Sequence, residues 1–427
     1  MTKDSWLTCT VQDFIDKGEA EVKTGPFGTQ LHASDYVETG TPVINARNIG
    51  FGEMRVEKLE FISDETVQRL SSHLLEPSDI VFGRKGTVER HVFIQPEQAK
   101  WFQGTDCLRL RFKSPSIEPR FVSYCLLTEE HKQWIMNQSS HGATMTSLNQ
   151  AIIGRISLQV PPLTIQRRIA SILSAYDDLI ENNTRRIRIL EQMAQAIYRE
   201  WFVEFRAPGV QLRKATSNEK KVTGKEQFPV GWEVRPLKDI CEQINYGYTA
   251  SAQREPIGPK FLRITDIVPY LIDWNSVPQC EIEEKDAGKY RLAEGDIVIA
   301  RTGATTGYAK RLNKLHPEAV FASYLVRVRV KPEHSNRLIG LIVESDDYRR
   351  FIKANLGGAA QPQANAQVLT SIPVVIPPQS IQESFDRLVE DIFDQREVLQ
   401  VKNANLRQTR DLLLPRLVGG EIAVNGL

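Results

Sequence analysis

The chain has 427 residues, of which 41% are hydrophobic and 25% charged, with a formal charge of +1. That is the composition of a soluble globular protein, too long for one ordinary core, so two or three domains are expected. No run approaches the ~18 consecutive apolar residues a membrane helix needs, and Met1-Thr2-Lys3-Asp4-Ser5-Trp6 lacks the apolar core of a signal peptide. The five cysteines (Cys9, Cys107, Cys125, Cys241, Cys280) form no Cys-x-x-Cys pair. This argues against a zinc ribbon or disulfide framework and for a reducing, cytoplasmic setting. A near-neutral chain can still bind nucleic acid where its basic groups cluster.

A first globular head starts near Trp6. Lys23-Thr24-Gly25-Pro26-Phe27-Gly28 is a glycine-aromatic loop, suited either to a groove contact or to a packed turn. Asp79-Ile80-Val81-Phe82 is a short apolar run after a turn, strand-like, and Gly83-Arg84-Lys85-Gly86-Thr87 follows it. Arg, Lys and Thr there can reach phosphates or base edges; the bland alternative is a solvated hairpin turn. Leu108-Arg109-Leu110-Arg111-Phe112 alternates with period two, as a half-buried strand does. Its arginines track phosphates or, more simply, form the wet face of an antiparallel sheet. A helix is expected over Arg120 to Asn137. The polar loop Gly142 to Asn149, with Thr144, Thr146 and Asn149, suits base contacts or helix capping.

Pro161-Pro162 ends the head, because two prolines cannot continue a helix interior and hold the preceding residue extended. A long amphipathic helix follows, with the seam Ile165, Ile169, Ile172, Tyr176, Leu179, Ile187, Leu190, Ala194, Ile197, Trp201. Thr164 is its expected cap and Pro208-Gly209 its end. Asn182-Asn183 at its middle suit a register-setting polar pair or a surface pair. Arg185, Arg186 and Arg188 lie off the seam, as a solvated stripe or facing DNA. Residues 209 to 228, a polar stretch including Arg213-Lys214-Ala215-Thr216-Ser217-Asn218-Glu219-Lys220-Lys221, read as an exposed linker.

The chain then repeats itself. Glu294-Gly295-Asp296-Ile297-Val298-Ile299-Ala300-Arg301-Thr302-Gly303-Ala304 matches Pro77 to Thr87, and Val326-Arg327-Val328-Arg329-Val330 matches Leu108 to Phe112. Phe261 to Ile267 resembles Val43 to Ile49, Gly358 to Asn365 sits where Gly142 to Asn149 sits, and Pro377-Pro378 repeats Pro161-Pro162. A register held this long marks a duplication of half the protein. The second head begins near Trp232. Its counterpart contacts are Tyr248 and Thr249, then Arg301, Thr302 and Thr305, then Gln361, Gln363 and Asn365. A second long helix carries the seam Ile381, Phe385, Leu388, Ile392, Leu399, Leu406, Leu413, interrupted by Gln395 and Lys402. Ser380 with Glu383 reads as its capping box, and Pro415 with Gly419-Gly420 as its end.

Neither helix can bury its seam alone. Two helices paired over their length in the order head, helix, head, helix must run antiparallel. Roughly forty residues at ~1.5 Å each make a rod of about 60 Å. The expected fold is therefore two mixed α/β (α+β) heads joined by two long antiparallel helices in a coiled coil, with internal two-fold pseudosymmetry. Two similar readers at fixed spacing suit a two-part DNA site, and their sequence differences imply two different halves.

Val160-Pro161-Pro162-Leu163 with Gln166-Arg167-Arg168-Ile169-Ala170, Tyr198-Arg199-Glu200-Trp201-Phe202-Val203-Glu204-Phe205 and Leu412-Leu413-Leu414-Pro415-Arg416-Leu417-Val418-Gly419-Gly420 carry a resemblance. Over essentially its whole length the chain resembles the specificity subunit of a type I restriction-modification system. Ile165 and Ile381 stand where members usually carry Glu, and Gln379 where Leu is usual. The resemblance implies residues 1–160 as target-recognition domain 1, 161–207 as a spacer helix, 208–376 as linker and target-recognition domain 2, and 377–427 as a second spacer helix and tail. It implies double-stranded DNA as ligand, with methyltransferase subunits, two of them, and motor-endonuclease subunits as partners. S-adenosylmethionine, ATP and Mg²⁺ then belong to those partners, none to this chain.

No catalytic motif is found. Gly83 to Thr87 lacks the spacing of a phosphate loop, and Val160 to Leu163 lacks the amide and ring of an amino-methyltransferase motif. His73, His91, His131 and His141 have no metal-ligand spacing. The leading reading is a non-catalytic DNA reader. Its rivals are a coiled-coil adaptor without DNA contact and a stand-alone DNA-modifying enzyme.

Overall fold

A computed structural model describes residues 6–424 except 57, 140–145, 254, 256, 270 and 357–362. The chain divides into two compact units, residues 1–182 with 403–427 and residues 183–402. Each contains one head and a segment of each long helix.

In the first unit, Leu7–Thr10 pairs antiparallel with Ser157–Val160, the strand that delivers the chain to Pro161-Pro162. The main sheet has the order Ala20–Thr24, Cys107–Phe112, Ile80–Gly83, His91–Phe93, Phe51–Gly52. Every residue of Ile80–Gly83 is buried, as befits a continuous apolar run in a central strand. A four-stranded sheet, Tyr36–Val37, Glu60–Ile62, Thr41–Ile44, Phe102–Gln103, lies beside it in sequence and has its own small core. The segment expected as one helix is two, Pro119–Leu126 and Glu129–Ser139.

The second unit repeats this plan. Glu233–Pro236 pairs with Pro373–Ile376, and the sheet order is Cys241–Tyr246, Leu325–Val330, Ile297–Ala300, Ala309–Arg311. The second head likewise has two helices here, Asn336–Val343 and Asp346–Asn355. Residues read as an exposed linker are instead ordered. Leu212–Lys214 and Gln227–Pro229 form a hairpin around the helix Ser217–Thr223. Thr216 and Glu219 cap that helix reciprocally, and Arg213 grips Glu219 at 2.7 and 2.9 Å. Composition misled here because the polar side chains are spent on one another.

The long helices are Leu163–Tyr198, continued by a π-helical turn Arg199–Val203, and Gln379–Val418. Their starts correct the sequence reading. Thr164 and Ser380 lie inside the first turn, which begins directly after Pro-Pro; the carbonyl of Pro378 accepts from the N–H of Ile381 and Gln382. Pro415 lies within the second helix, whose last turn runs on to Val418 before Gly420 turns left-handed at φ 71°.

Within the first unit, Asp177 meets Arg410 at 2.7 Å and Asn403 Nδ2 donates to the Ile180 carbonyl at 3.2 Å. Within the second, Glu191 meets Arg396 at 3.4 Å and the Phe202 and Phe385 rings stand edge to face at 4.9 Å. In both units rising numbers on one helix face falling numbers on the other, so the pairs are antiparallel. Ile169, Leu173, Leu414 and Leu417 enter the first head's core, and Phe385, Val389 and Ile392 the second's. Burial of each such side chain stabilises by roughly 1.5–3 kcal/mol.

Gln166 and Gln382 lock each helix to its head. Gln166 Nε2 donates to the carbonyls of Pro161 (2.8 Å) and Ser116 (3.0 Å), and its Oε1 accepts from the Glu118 N–H (2.9 Å). Gln382 does the same with Pro377 and Ser335, each at 2.8 Å.

Candidate nucleic-acid interface

Each head builds a rim from three loops, and the backbone junction is the same in both. In the first head, Arg84 N–H donates to the Asp106 carbonyl at 2.8 Å, and the Arg84 carbonyl accepts from Leu148 N–H at 2.8 Å. In the second, Arg301 N–H donates to the Tyr324 carbonyl at 3.1 Å, and its carbonyl accepts from Ala364 N–H at 2.9 Å. Lys85 bridges to Ser147, and Thr302 to Gln363. A third loop joins at the sheet end: Gln150 Nε2 donates to Thr24 Oγ1 at 3.1 Å, and Ala366 N–H donates to the Tyr246 hydroxyl at 2.9 Å. The sequence candidates Thr24, Arg84, Lys85 and Thr146 are thus brought together, as are Arg301, Thr302 and Gln363. Thr146 Oγ1 fixes the rim further by donating to the Gly86 carbonyl at 2.7 Å.

Close backbone approach makes this junction possible. A side chain at Gly25 would place its Cβ 1.9 Å from the Gly104 carbonyl oxygen, and one at Gly247 2.2 Å from that of Ala322. The glycine-aromatic loops are therefore packed turns at these glycines. Thr249 next to them is exposed, whereas the Tyr248 ring packs on Tyr290 at 5.3 Å. Thr87 and Thr305 are half-buried and accept backbone hydrogen bonds from Arg90 and Tyr308. Thr144 and Gln361 lie outside the described residues.

Other candidates have structural duties. Asn149 caps Gln150–Gly154 by accepting from Ile152 N–H at 2.9 Å, and Asn365 caps Ala366–Leu369 by accepting from Val368 N–H at 2.8 Å. Lys23 sits in the strand behind the rim, its Nζ donating to the Ser72 carbonyl at 3.1 Å; burial, then the Arg109 charge, lowers its pKa.

The alternating arginines are neither a wet face nor a phosphate track. Arg111 grips Asp79 through Nε at 2.6 Å and a terminal nitrogen at 2.7 Å; Arg329 grips Asp296 at 2.7 and 2.8 Å. Asp79 and Asp296 are fully buried, and Ser78 (φ 76°) and Gly295 (φ 83°) make the same left-handed turn before them. Arg109 and Arg327 are 2% and 3% exposed. Each ties its strand to a loop, through the Ser72 and Leu74 carbonyls in one head and the Lys289 and Arg291 carbonyls in the other. The recurrence of an Asp before each apolar strand was the signal for these pairs.

Sequence reading missed the rim residues Asp106 and Tyr324; Tyr246 opens the glycine-aromatic loop Tyr246-Gly247-Tyr248-Thr249 that it offered as a groove contact or packed turn. Lys85 Nζ stands 3.4 Å from Asp106. Arg301 lies over the Tyr246 ring at 4.7 Å, and Tyr324 is 61% exposed. The signal for the two missed residues was positional, each standing directly before an arginine strand. Three of the histidines have structural places: His91 is buried against Ser123 Oγ at 2.9 Å, and His131 joins Thr128 and the Ser157 carbonyl. His73 is buried near Lys23 and Arg109; His141 lies outside the described residues. Among the described residues no helix is long and apolar enough to cross a membrane.

Known proteins share this organisation. The chain is 23% identical over 401 residues to the HindI type I restriction enzyme specificity subunit of Haemophilus influenzae, covering 78% of this chain and 84% of that one. It is 24% identical over 379 residues to the EcoKI specificity subunit of Escherichia coli K12, covering 86% and 78%. The crystal structure of the type I restriction-modification S subunit from M. genitalium superposes with a TM-score of 0.52 at 14% identity, over 97% of this chain and 96% of that one, which establishes a common fold. The type I restriction modification DNA specificity domain matches twice, at residues 14–192 and 229–407, and the chain belongs to that family.

Proposed function

We propose that this chain is the DNA-reading subunit of a type I restriction-modification complex, each head reading one half of a bipartite, asymmetric double-stranded site. The observation that carries this reading is the duplicated three-loop rim: one backbone junction in both heads, presenting different side chains. Arg84, Lys85, Thr87 and Thr146 form the contact set of the first head, with Thr24 beside them. Arg301, Thr302, Thr305, Gln363 and Thr249 form that of the second. Asn149, Asn365 and Lys23 hold the rim in place. Arginine and lysine serve phosphates and guanine edges, threonine and glutamine the phosphates and adenine.

The long helices set the gap between half-sites and dock methyltransferase subunits, two of them, to which motor-endonuclease subunits add. The chain itself is non-catalytic and cytoplasmic; S-adenosylmethionine, ATP and Mg²⁺ act on its partners. Residues 1–160 and 208–376 are the two target-recognition portions.

Salt-dependent binding tests this. Purified chain should bind duplex DNA at low salt and lose affinity steeply as salt rises, because counterion release then gains less. Absence of binding at low salt would leave the adaptor reading. Methylation or cleavage by the chain alone, with Mg²⁺ and S-adenosylmethionine, would leave the enzyme reading. Exchanging residues 1–160 for another head should change one half of the site only.

A further inference from the structure

The second unit encloses a cavity of about 270 Å³ that no rim residue lines. Its walls come from both long helices, the strand Ala309–Arg311 and the helix Asn336–Val343. Arg311, Arg337, Arg349, Arg396 and Lys310 face it, against the carboxylates of Glu191 and Glu344.

Among the described residues Arg311 makes no salt bridge; the carboxylates of Glu344 and Glu397 act on it only at longer range. Its guanidinium is largely buried and donates to neutral oxygens, Asn336 Oδ1 at 3.1 Å and the Leu312 carbonyl at 3.5 Å, over the Phe393 ring at 5.2 Å. Glu344 is engaged by the Arg311 backbone N–H at 2.7 Å instead. Burial, then repulsion from Arg396, pushes the Arg311 pKa down to about 10, so the group is still charged near neutrality. Arg396 reaches Glu191 through one terminal nitrogen at 3.4 Å, while its Nε is buried without a partner. Arg337 has a carboxylate no nearer than Glu390, at 3.7 Å. Buried charges are normally paired.

The fold does not require a cation here. Arg311 faces Ile297 across the sheet as Phe93 faces Ile80 in the first head. Phe93 is buried under Arg120, 4.7 Å away, and Arg120 is answered by Asp177 at 3.3 Å. The first head thus closes with an apolar ring and a balanced arginine, where the second keeps an open, cation-rich space.

We propose that this cavity binds a phosphate-bearing anion through Arg311, Arg396 and Arg337. Guanidinium forks match phosphate oxygens in pairs, and a doubly charged group suits several converging cations better than one carboxylate does. The phosphate belongs to a small molecule, either inorganic phosphate or the end of a nucleotide, since the cavity is separate from the rim. The inference does not depend on which DNA the heads read.

Titration of the full chain with inorganic phosphate, and separately with ADP, tests it by calorimetry and by the melting temperature of the second head. Saturable one-to-one binding and a rising melting temperature are expected; the tighter of the two ligands identifies the source. Arg311→Met should remove the binding and, in phosphate-free buffer, leave the melting temperature unchanged or raise it, because a buried charge without a direct salt bridge is gone. Arg396→Gln, with unaltered circular dichroism, should weaken binding at least tenfold. Absence of saturable binding, or an equal response to chloride at matched ionic strength, overturns the proposal. A lowered melting temperature in phosphate-free Arg311→Met with ligand response intact would also overturn it, as Arg311 would then be purely structural.

Discussion

The first head answers its buried Arg109 with a carboxylate, Glu21 at 2.9 Å; the second answers Arg327 with two amides, Gln243 at 3.1 Å and Asn245 at 2.9 Å. Both solutions hang from one frame, in which Asp79 holds Arg111 and Asp296 holds Arg329. At the rim the divergence is wider: Asp106 and Thr24 in one head stand where Tyr324 and Tyr246 stand in the other. The lesson is a division of labour. The fully buried Asp79 and Asp296 cannot drift singly, because their loss strands an arginine, whereas the half-exposed Glu21 can give way to amides. Rim side chains rest on a backbone junction and are free to change what they read.

The frame is the place to break that comparison hardest. Asp79→Ala and Asp296→Ala should each cost about 3–5 kcal/mol, the usual penalty for leaving a buried charge unpaired. Hydrogen exchange resolved by head is the measurement, and the two losses should be similar. A large loss in only one head would show that the frames are not equivalent.

Acid should separate the heads next. Burial holds His91 down to about 3 and His73 down to about 4, against an ordinary value of 6.5. Both are neutral in the folded state and gain protons on unfolding, so their contribution is complete above pH 6.5 and falls as pH drops below it. At pH 5 the loss is about 2 kcal/mol for the fully buried His91, at 1.4 kcal/mol per pH unit, and smaller for the partly screened His73. Ala309 and Tyr290 take the equivalent places in the second head, where His334 shifts in the same direction. Between pH 6.5 and 5 the first head should therefore loosen more, and His73→Tyr should remove the smaller part of the difference.

At the rim, Arg301→Ala should weaken binding to the preferred site by about 1–3 kcal/mol and relax one base position in the second half-site. Lys85→Ala should weaken all sequences alike and reduce the salt slope by about one phosphate contact. If both behaved alike, the distinction between readers and anchors within the rim would fail.

Much of this was legible beforehand. The repeat of Asp-Ile-Val, the arginine strands and the Pro-Pro pairs announced two heads and two helices, because period and punctuation are local properties. Helix starts were misplaced because a glutamine four residues after Pro162 or Pro378, rather than Thr164 or Ser380, organises the first turn. Arg109 and Arg111 were misread because alternation reveals which faces a strand has, not what partner waits behind each. Asp106 and Tyr324 escaped because the rim is assembled from separate segments, Tyr324 meeting Arg301 and Arg301 meeting Ala364, and spacing within one segment says nothing of such meetings.

Asn149 gives the smallest effect and the finest test. An asparagine reading adenine needs both its oxygen and its amide N–H groups, whereas a cap needs only an oxygen. Asn149→Ser keeps a capping oxygen and Asn149→Ala does not; alanine should cost about 1 kcal/mol of stability and serine little. If the residue positions the rim, serine keeps DNA affinity within about twofold of the parent, a change under 0.5 kcal/mol. If affinity instead falls tenfold while thermal stability stays put, Asn149 touches a base itself, and Asn365 should then be tested the same way in the second head.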